Sequence, residues 1–297
     1  MKKAELHVHL EGSIGPETLM AIDPSLTRAE IEANLKCGSF PEFLRGYIWV
    51  SQKLEKPEHY ALATRHLLDS LAAQEVTYAE VTLSAGVVLW KQQDLAAVYD
   101  AVWRESERSP VKTRWILDAI RQFGPEKGME VAEFAVSRRD AGAIAYGIGG
   151  DEVRGPAHWF RDVFAYARDG GLRLVCHAGE TDGPGSIWAA LAIGAERIGH
   201  GIAAAKDPAL MARLRDDNVP LEVCISSNVC TGAVTSLDVH PVRELYQAGV
   251  PITIHTDDPA FFQTTLDREY ELAEKMFGLP AEEMAANSFR YAFQPSE

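Results

Sequence analysis

Several things are scarce in this sequence, and each shortage narrows what the chain can be. Only 4 cysteines occur among 297 residues, namely Cys37, Cys176, Cys224 and Cys230. They form no CxxC pair and no disulfide framework, so a reducing, cytoplasmic setting is expected. Basic residues are also few: 29 Lys and Arg against 43 Asp and Glu leave a net charge of -14. Binding to a phosphate backbone rests on basic patches, so no nucleic acid is expected as a partner. No run of about 18 apolar residues could span a bilayer, and the start Met1-Lys2-Lys3-Ala4-Glu5 leads to His7 and His9 instead of the apolar core of a signal peptide. No membrane partner is therefore expected. The chain also lacks internal repeats, low-complexity tracts and Pro/Ser-rich linkers, which predicts one domain over residues 1–297.

What the sequence does have is a set of apolar runs that end in ionisable clusters. Leu172 to Cys176 runs into His177-Ala178-Gly179-Glu180, and Leu6-His7-Val8-His9, Ile198-Gly199-His200 and Ile254-His255-Thr256-Asp257-Asp258 repeat the pattern. Eight strands are predicted, at 4–9, 76–83, 112–120, 143–148, 172–176, 198–199, 221–225 and 252–256. Helical periodicity or helix-start residues fall between them, as at 58–73, 95–106, 126–137 and 156–169. Strands alternating with helices over this length predict an α/β fold, a (β/α)₈ TIM barrel. In such a barrel the reactive groups sit at the C-terminal mouth of the strands, where the four clusters fall.

Alternation along a strand points His7 and His9 to one face, where one cation could take both imidazoles. With His177 and Asp257 they form a nitrogen and oxygen donor set that suits one divalent metal, Zn²⁺ first and Fe²⁺ as the alternative. The stretch from Ala141 to Glu152 has no lysine to bridge a second metal, so a single ion is expected. A metal of this kind makes hydroxide available near neutral pH. Glu180 and His200 are then left as proton-transfer groups and Asp258 as an orienting carboxylate. His255 is expected to be structural, and His66, His59, His158 and His240 have no evident constellation.

The ordered set Glu5-Leu6-His7-Val8-His9-Leu10-Glu11-Gly12-Ser13, Gly149-Gly150-Asp151-Glu152, His177-Ala178-Gly179-Glu180, Gly199-His200-Gly201, Ser226-Ser227-Asn228 and Thr256-Asp257-Asp258-Pro259 resembles the adenosine deaminase family of metal-dependent barrel hydrolases, over nearly the whole chain. The resemblance implies hydrolytic loss of the 6-amino group from an adenine-containing nucleoside or a derivative of one. Glu180 would protonate purine N1 while activated water attacks C6, and His200 would orient or deprotonate that water. Asp258 would meet N7, the Gly150 amide N3, and Glu11 would lie near the sugar. The PCxxC motif that polynucleotide deaminases pair with HxE is absent.

Two departures bear on the substrate. Glu11 stands where family members acting on adenosine have Asp, and Ser84-Ala85-Gly86 lacks a Ser-Pro step. Together with Gly147-Ile148-Gly149-Gly150 and Ser227-Asn228-Val229-Cys230-Thr231-Gly232, Glu11 resembles the branch that deaminates 6-aminodeoxyfutalosine in menaquinone biosynthesis. Purine-salvage deamination of adenosine, adenine or methylthioadenosine is the alternative, and metal-dependent phosphoester hydrolysis a remote one. The aromatic stretch Phe40 to Trp49 is expected as a core-facing helix, with a lid over an apolar pocket as the alternative. Arg45 is a candidate partner for a substrate anion.

Overall fold

The structure, a computed structural model, describes residues 1–293. Eight parallel strands, β1 (Lys3–His9), β2 (Val76–Leu83), β3 (Lys112–Ile120), β4 (Ala143–Gly149), β5 (Arg173–Ala178), β6 (Arg197–His200), β7 (Leu221–Val223) and β8 (Ile252–Ile254), lie side by side in chain order. Parallel neighbours need a crossover, and helices supply it around the outside. The ring joins up where the Val8 and Asp257 backbones pair, with His9 N–H donating to Asp257 O and Asp257 N–H to His7 O, both at 2.9 Å. The predicted (β/α)₈ barrel is thus the observed fold.

The inner face of a barrel is normally filled with branched aliphatic residues. Here it also holds ions. Arg197 is 1% exposed and stands between Glu80 and Glu222, each with a carboxylate oxygen 2.6 Å away. Glu5 receives Thr256 Oγ1–H at 2.9 Å and lies 2.8 Å from His255 Nδ1. A buried charge without a partner is costly, so these groups hold one another in register and fix the inner layer beneath the mouth. His255 is structural, as expected. Strand alternation does not decide it, because β8 ends at Ile254 and Asp257 has left-handed backbone (φ 63°).

Some element boundaries differ from the prediction. β5 runs on through Ala178, so His177 belongs to the strand itself. β7 stops at Val223, and Ile225 opens a helix, Ile225–Cys230, instead of ending the strand. The apolar segment Ala85–Trp90 is a further helix, and among the described residues helices Pro259–Phe262, Leu266–Phe277 and Ala281–Arg290 follow β8. The segment predicted as one helix over 156–169 is a 3₁₀ turn at Ala157–Phe160 followed by helix Arg161–Asp169. Among the described residues no helix is long and apolar enough to cross a membrane, and all four cysteines are unbridged.

Candidate active site

Side chains from β1, β5, β6 and the segment after β8 converge at the C-terminal mouth. His7 Nδ1–H donates to Glu222 Oε2 at 2.7 Å, which leaves Nε2 buried and without a protein hydrogen-bond partner. From that Nε2 to Asp257 Oδ1 is 3.4 Å, from His9 Nε2 to the same oxygen 3.3 Å, and from His9 Nε2 to His177 Nε2 3.2 Å. Ligands held tetrahedrally about 2.0–2.1 Å from one ion stand roughly 3.3 Å apart, which these three separations match. Donor atoms of His7, His177, His200 and Asp257 all lie within 4.8 Å of one another, and those of His9, Asp257 and Asp258 form a second such group. Glu222 fixes the ring of His7 from behind, as the outer partner of a ligating imidazole does.

The charges agree with that geometry. Burial works against a charge on His7, but Asp257 and Glu222 outweigh it and push the imidazole up to about 10: the position attracts a positive charge. Burial and the charges of His7 and His9 drive His177 well below its ordinary value, so it stays an unprotonated donor. Asp257, despite burial, is held well below the usual carboxylate range by the imidazoles of His7 and His9 beside it. Its second oxygen accepts Ser227 Oγ–H at 2.7 Å.

His200 also lies within the cluster, its ring centroid 5.1 Å from that of His7 and 5.3 Å from that of His177. Its Nε2 is 3.9 Å from Asp257 Oδ2 and 3.6 Å from Glu180 Oε2. Asn228 Nδ2–H donates to its Nδ1 at 3.1 Å, which puts the ring proton on Nε2, facing the mouth. The Asn228 carbonyl in turn accepts from His240 Nε2–H at 3.2 Å. His240, for which the sequence offered no constellation, therefore stands behind His200. Burial lowers His200 to about 4, so it is neutral at pH 7.

Glu180 follows β5 on a loop pinned by Glu152. Glu152 accepts the Gly179 N–H at 2.7 Å and those of Glu180 and Thr181 at 2.9 Å. Burial, together with Asp257 and Glu152, lifts the Glu180 carboxyl to about 8. It is a protonated acid at neutral pH, the state a proton donor needs. Asp258 is likewise raised well above the carboxylate range, first by burial and then by Asp257. It packs against Gly12, where a Cβ would fall 1.6 Å from its Oδ1, so only glycine fits there.

A cavity of about 430 Å³ opens from this cluster. Its inner end is lined by His9, His177, Glu180, His200, Asp257 and Asp258, and Gly150 lines its wall. Asp118 of β3, which no strand-end pattern singles out, also faces it. Burial lifts its carboxyl to about 7, against the charges of His9 and Arg121. A Cβ at Gly149 would fall 2.9 Å from Asp118 Oδ2, so the bare β4 backbone makes room for this acid.

Three expectations change. Glu11 is not among the residues that line the cavity: it is 1% exposed and accepts Ser84 N–H at 3.2 Å and Tyr47 Oη–H at 3.4 Å. It stands one layer back, behind Tyr47, which does line the cavity. Helix Phe40–Lys53 is a cavity wall and not simply core. Phe40, Phe43, Leu44, Tyr47 and Ile48 line the opening, while Gly46 and Val50 are buried behind it. Arg45, on that helix, is 74% exposed at its side chain, approaches Glu42 at 4.0 Å and does not line the cavity.

Residues 2–297 match the family described as adenosine deaminase. The aminodeoxyfutalosine deaminase of Streptomyces avermitilis is 39% identical over 293 residues, which cover 94% of this chain and 82% of that protein. The adenine deaminase of Rhizobium leguminosarum bv. trifolii is 37% identical over 296 residues, 96% of this chain and 92% of that protein. The crystal structure of adenine deaminase from Arthrobacter aurescens superposes with a TM-score of 0.91 at 28% identity, covering 99% of this chain and 94% of that one.

Proposed function

The chain belongs to the adenosine deaminase family and is a hydrolytic deaminase of adenine-type substrates, and from that premise we propose that its substrate is 6-aminodeoxyfutalosine, deaminated at purine C6. The observation that carries the choice is the cavity's extent. It runs from Glu180 and His200 past Gly150 to Trp90, Phe123 and Arg154. Its volume of about 430 Å³ falls in the range of roughly 300–1,000 Å³ that holds drug-sized ligands. A bare adenine would leave the outer end unfilled.

His7, His9, His177 and Asp257 would hold one divalent cation, Zn²⁺ by its preference for this donor set, a reading supported by the separations of 3.2–3.4 Å between His9 and His177 and from Asp257 to His7 and His9. A cation held there would supply the Lewis acidity that brings the ionisation of water near neutral pH. His200, neutral and with its Nε2–H turned to the mouth by Asn228, orients that water. Glu180, protonated at neutral pH, gives its proton to N1 as negative charge builds on the ring. N7 is an acceptor and needs a donor, which Asp258 provides only because burial and Asp257 keep it protonated. The Gly150 N–H meets N3. Glu11 acts at one remove, by holding Tyr47 and the start of helix Ala85–Trp90. The hydroxyl added at C6 loses its proton as the C6–N bond breaks, the amino group gains one, and it leaves as ammonia.

Adenine deamination is the second reading, favoured by the near-equal identity of the Rhizobium enzyme, 37% against 39%. Comparing kcat/KM for adenine, adenosine, 5′-deoxy-5′-methylthioadenosine and 6-aminodeoxyfutalosine separates the two. An advantage of at least about a hundredfold for 6-aminodeoxyfutalosine over adenosine, roughly 2.7 kcal/mol, is expected. Adenine as the best substrate would overturn the proposal in favour of the salvage reading.

A further inference from the structure

The two ends of the cavity differ in the side chains that line them. The inner end gathers Glu180, Asp257, Asp258 and Asp118, and an anionic substituent placed there would meet four carboxyl groups. Among the described residues, two Lys or Arg side chains line the cavity, Lys91 and Arg154. Lys91 is already engaged, its Nζ donating to the carbonyls of Ser51 and Leu54. Arg154 makes no ion pair and no side-chain hydrogen bond among the described residues, although its backbone is fixed in a turn where Asp151 Oδ1 accepts the N–H of Val153 at 3.1 Å and of Arg154 at 3.0 Å. In a chain of net charge -14, a free guanidinium at a cavity rim is conspicuous. Beside the same rim, Trp90 and Phe123 are stacked, centroids 6.2 Å apart and planes 20° apart. They are 59% and 36% exposed, although large aromatic side chains ordinarily gain by burial.

We propose that Arg154 and the stacked Trp90–Phe123 pair form an outer subsite that receives a planar aromatic carboxylate at the end of the substrate remote from the purine amine. The aromatic faces take the ring, and the guanidinium fork takes the carboxylate through paired N–H donors. The place of Arg154 sets the direction, because it holds the anion at the end of the cavity away from Glu180 and His200, where the amine must sit. This subsite rests on the substrate assignment above, since the benzoate of 6-aminodeoxyfutalosine is such a group, and it adds which residues select it.

The test uses the metal-loaded full chain and three substrates: 6-aminodeoxyfutalosine, its benzoate methyl ester and adenine. In Arg154→Met, which keeps an unbranched apolar stem, the ratio of kcat/KM for the acid to that for its ester should fall about tenfold, with the loss in KM and not in kcat. Arg154→Lys should restore part of the ratio. Trp90→Ala should lower kcat/KM for acid and ester alike, because the ring platform serves both. If the acid-to-ester ratio is unchanged in Arg154→Met while the wild type still prefers 6-aminodeoxyfutalosine to adenine, the subsite is refuted and the substrate assignment stands. If the wild type prefers adenine yet Arg154→Met still removes the acid-to-ester difference, the substrate assignment falls and the subsite stands. A variant that loses kcat on all three substrates refutes a role confined to the outer end.

Discussion

Replacing Glu152 with Gln isolates what holds the proton donor in place. The side chain is 2% exposed, and its Oε1 accepts both the Glu180 and the Thr181 N–H while its Oε2 accepts that of Gly179. In Glu152→Gln the remaining carbonyl can still take two amides, but the new NH₂ must face the Gly179 N–H, donor against donor. A hydrogen bond to a charged group contributes about 1.5–3 kcal/mol, and a buried donor left unmatched costs about 1–3 kcal/mol. Ser186 Oγ also lies 2.8 Å from the Gly179 nitrogen and softens the loss there. A destabilisation of about 2–4 kcal/mol follows, equivalent to a fall of about 1 M in the urea midpoint. Because the Glu180 backbone is one of the three tethered groups, its carboxyl should also move, and a misplacement of about 1 Å can cost about a hundredfold in rate.

The pH dependence of that difference has a definite sign. Burial alone would raise the pKa of Glu152, but the Thr181 amide, Ser186 and Arg121 hold it below the ordinary value. A depressed folded pKa contributes stability that is present above the unfolded value, about 4.3, and is lost as pH falls through the folded one. The gap between wild type and variant should thus be full at pH 7 and shrink below pH about 4. Urea titration followed by tryptophan fluorescence, with ammonia release measured on the same preparations, checks both effects. A variant with the wild-type midpoint and the wild-type kcat would refute the reasoning.

Asp257→Ala should lower metal content from about one ion per chain to near none and abolish turnover with it, as read by metal analysis and ammonia release. Full occupancy in that variant would contradict the ligand assignment. Glu222→Gln, which weakens the anchor behind His7 and leaves Arg197 without one of its two carboxylates, should weaken metal binding about 10- to 100-fold in a chelator competition. With Glu180 at about 8 and His200 at about 4, kcat/KM should fall above pH 8 as the acid ionises and below pH 4 as the imidazole charges, and the first limb moves to lower pH as a bound cation adds positive charge. A flat profile between pH 7 and 10 would argue against a protonated Glu180 as the donor.

How much of this was legible in the sequence depended on where each residue stands in its element. His7, His9, His177, His200, Asp257 and Asp258 end apolar runs, and a barrel turns the ends of all its strands to one mouth, so their convergence could be read from the pattern alone. Glu222, Asp118, Glu80 and Arg197 lie within strands, and what gives each its role is a partner on another strand. The Arg197 to Glu80 contact, for instance, joins residues 117 apart in sequence. His240 was unreadable for the same reason, since it reaches His200 only through Asn228. Ala85–Trp90 was missed because Ala-Gly-Val-Val-Leu-Trp has no polar face to mark a helical period. Ile225 looked like strand because Leu221 to Ile225 is nearly all apolar, yet it begins the helix that carries Ser227 and Asn228 to the site. Glu11 was placed near the sugar by resemblance, while packing puts Tyr47 in front of it. Arg154 carries no pattern at all, and only the cavity's course brings it to notice.

The central claim is that a metal held by His7, His9, His177 and Asp257 and a proton held by Glu180 together remove the 6-amino group of an adenine-type substrate. It is tested most directly by measuring ammonia release and metal content side by side for wild type and Glu180→Gln. An amide keeps the size of the side chain but has no acidic proton to give to N1. The account predicts an undiminished metal content and a turnover lower by about 10²- to 10⁴-fold. A loss of less than tenfold with the metal still in place would contradict it.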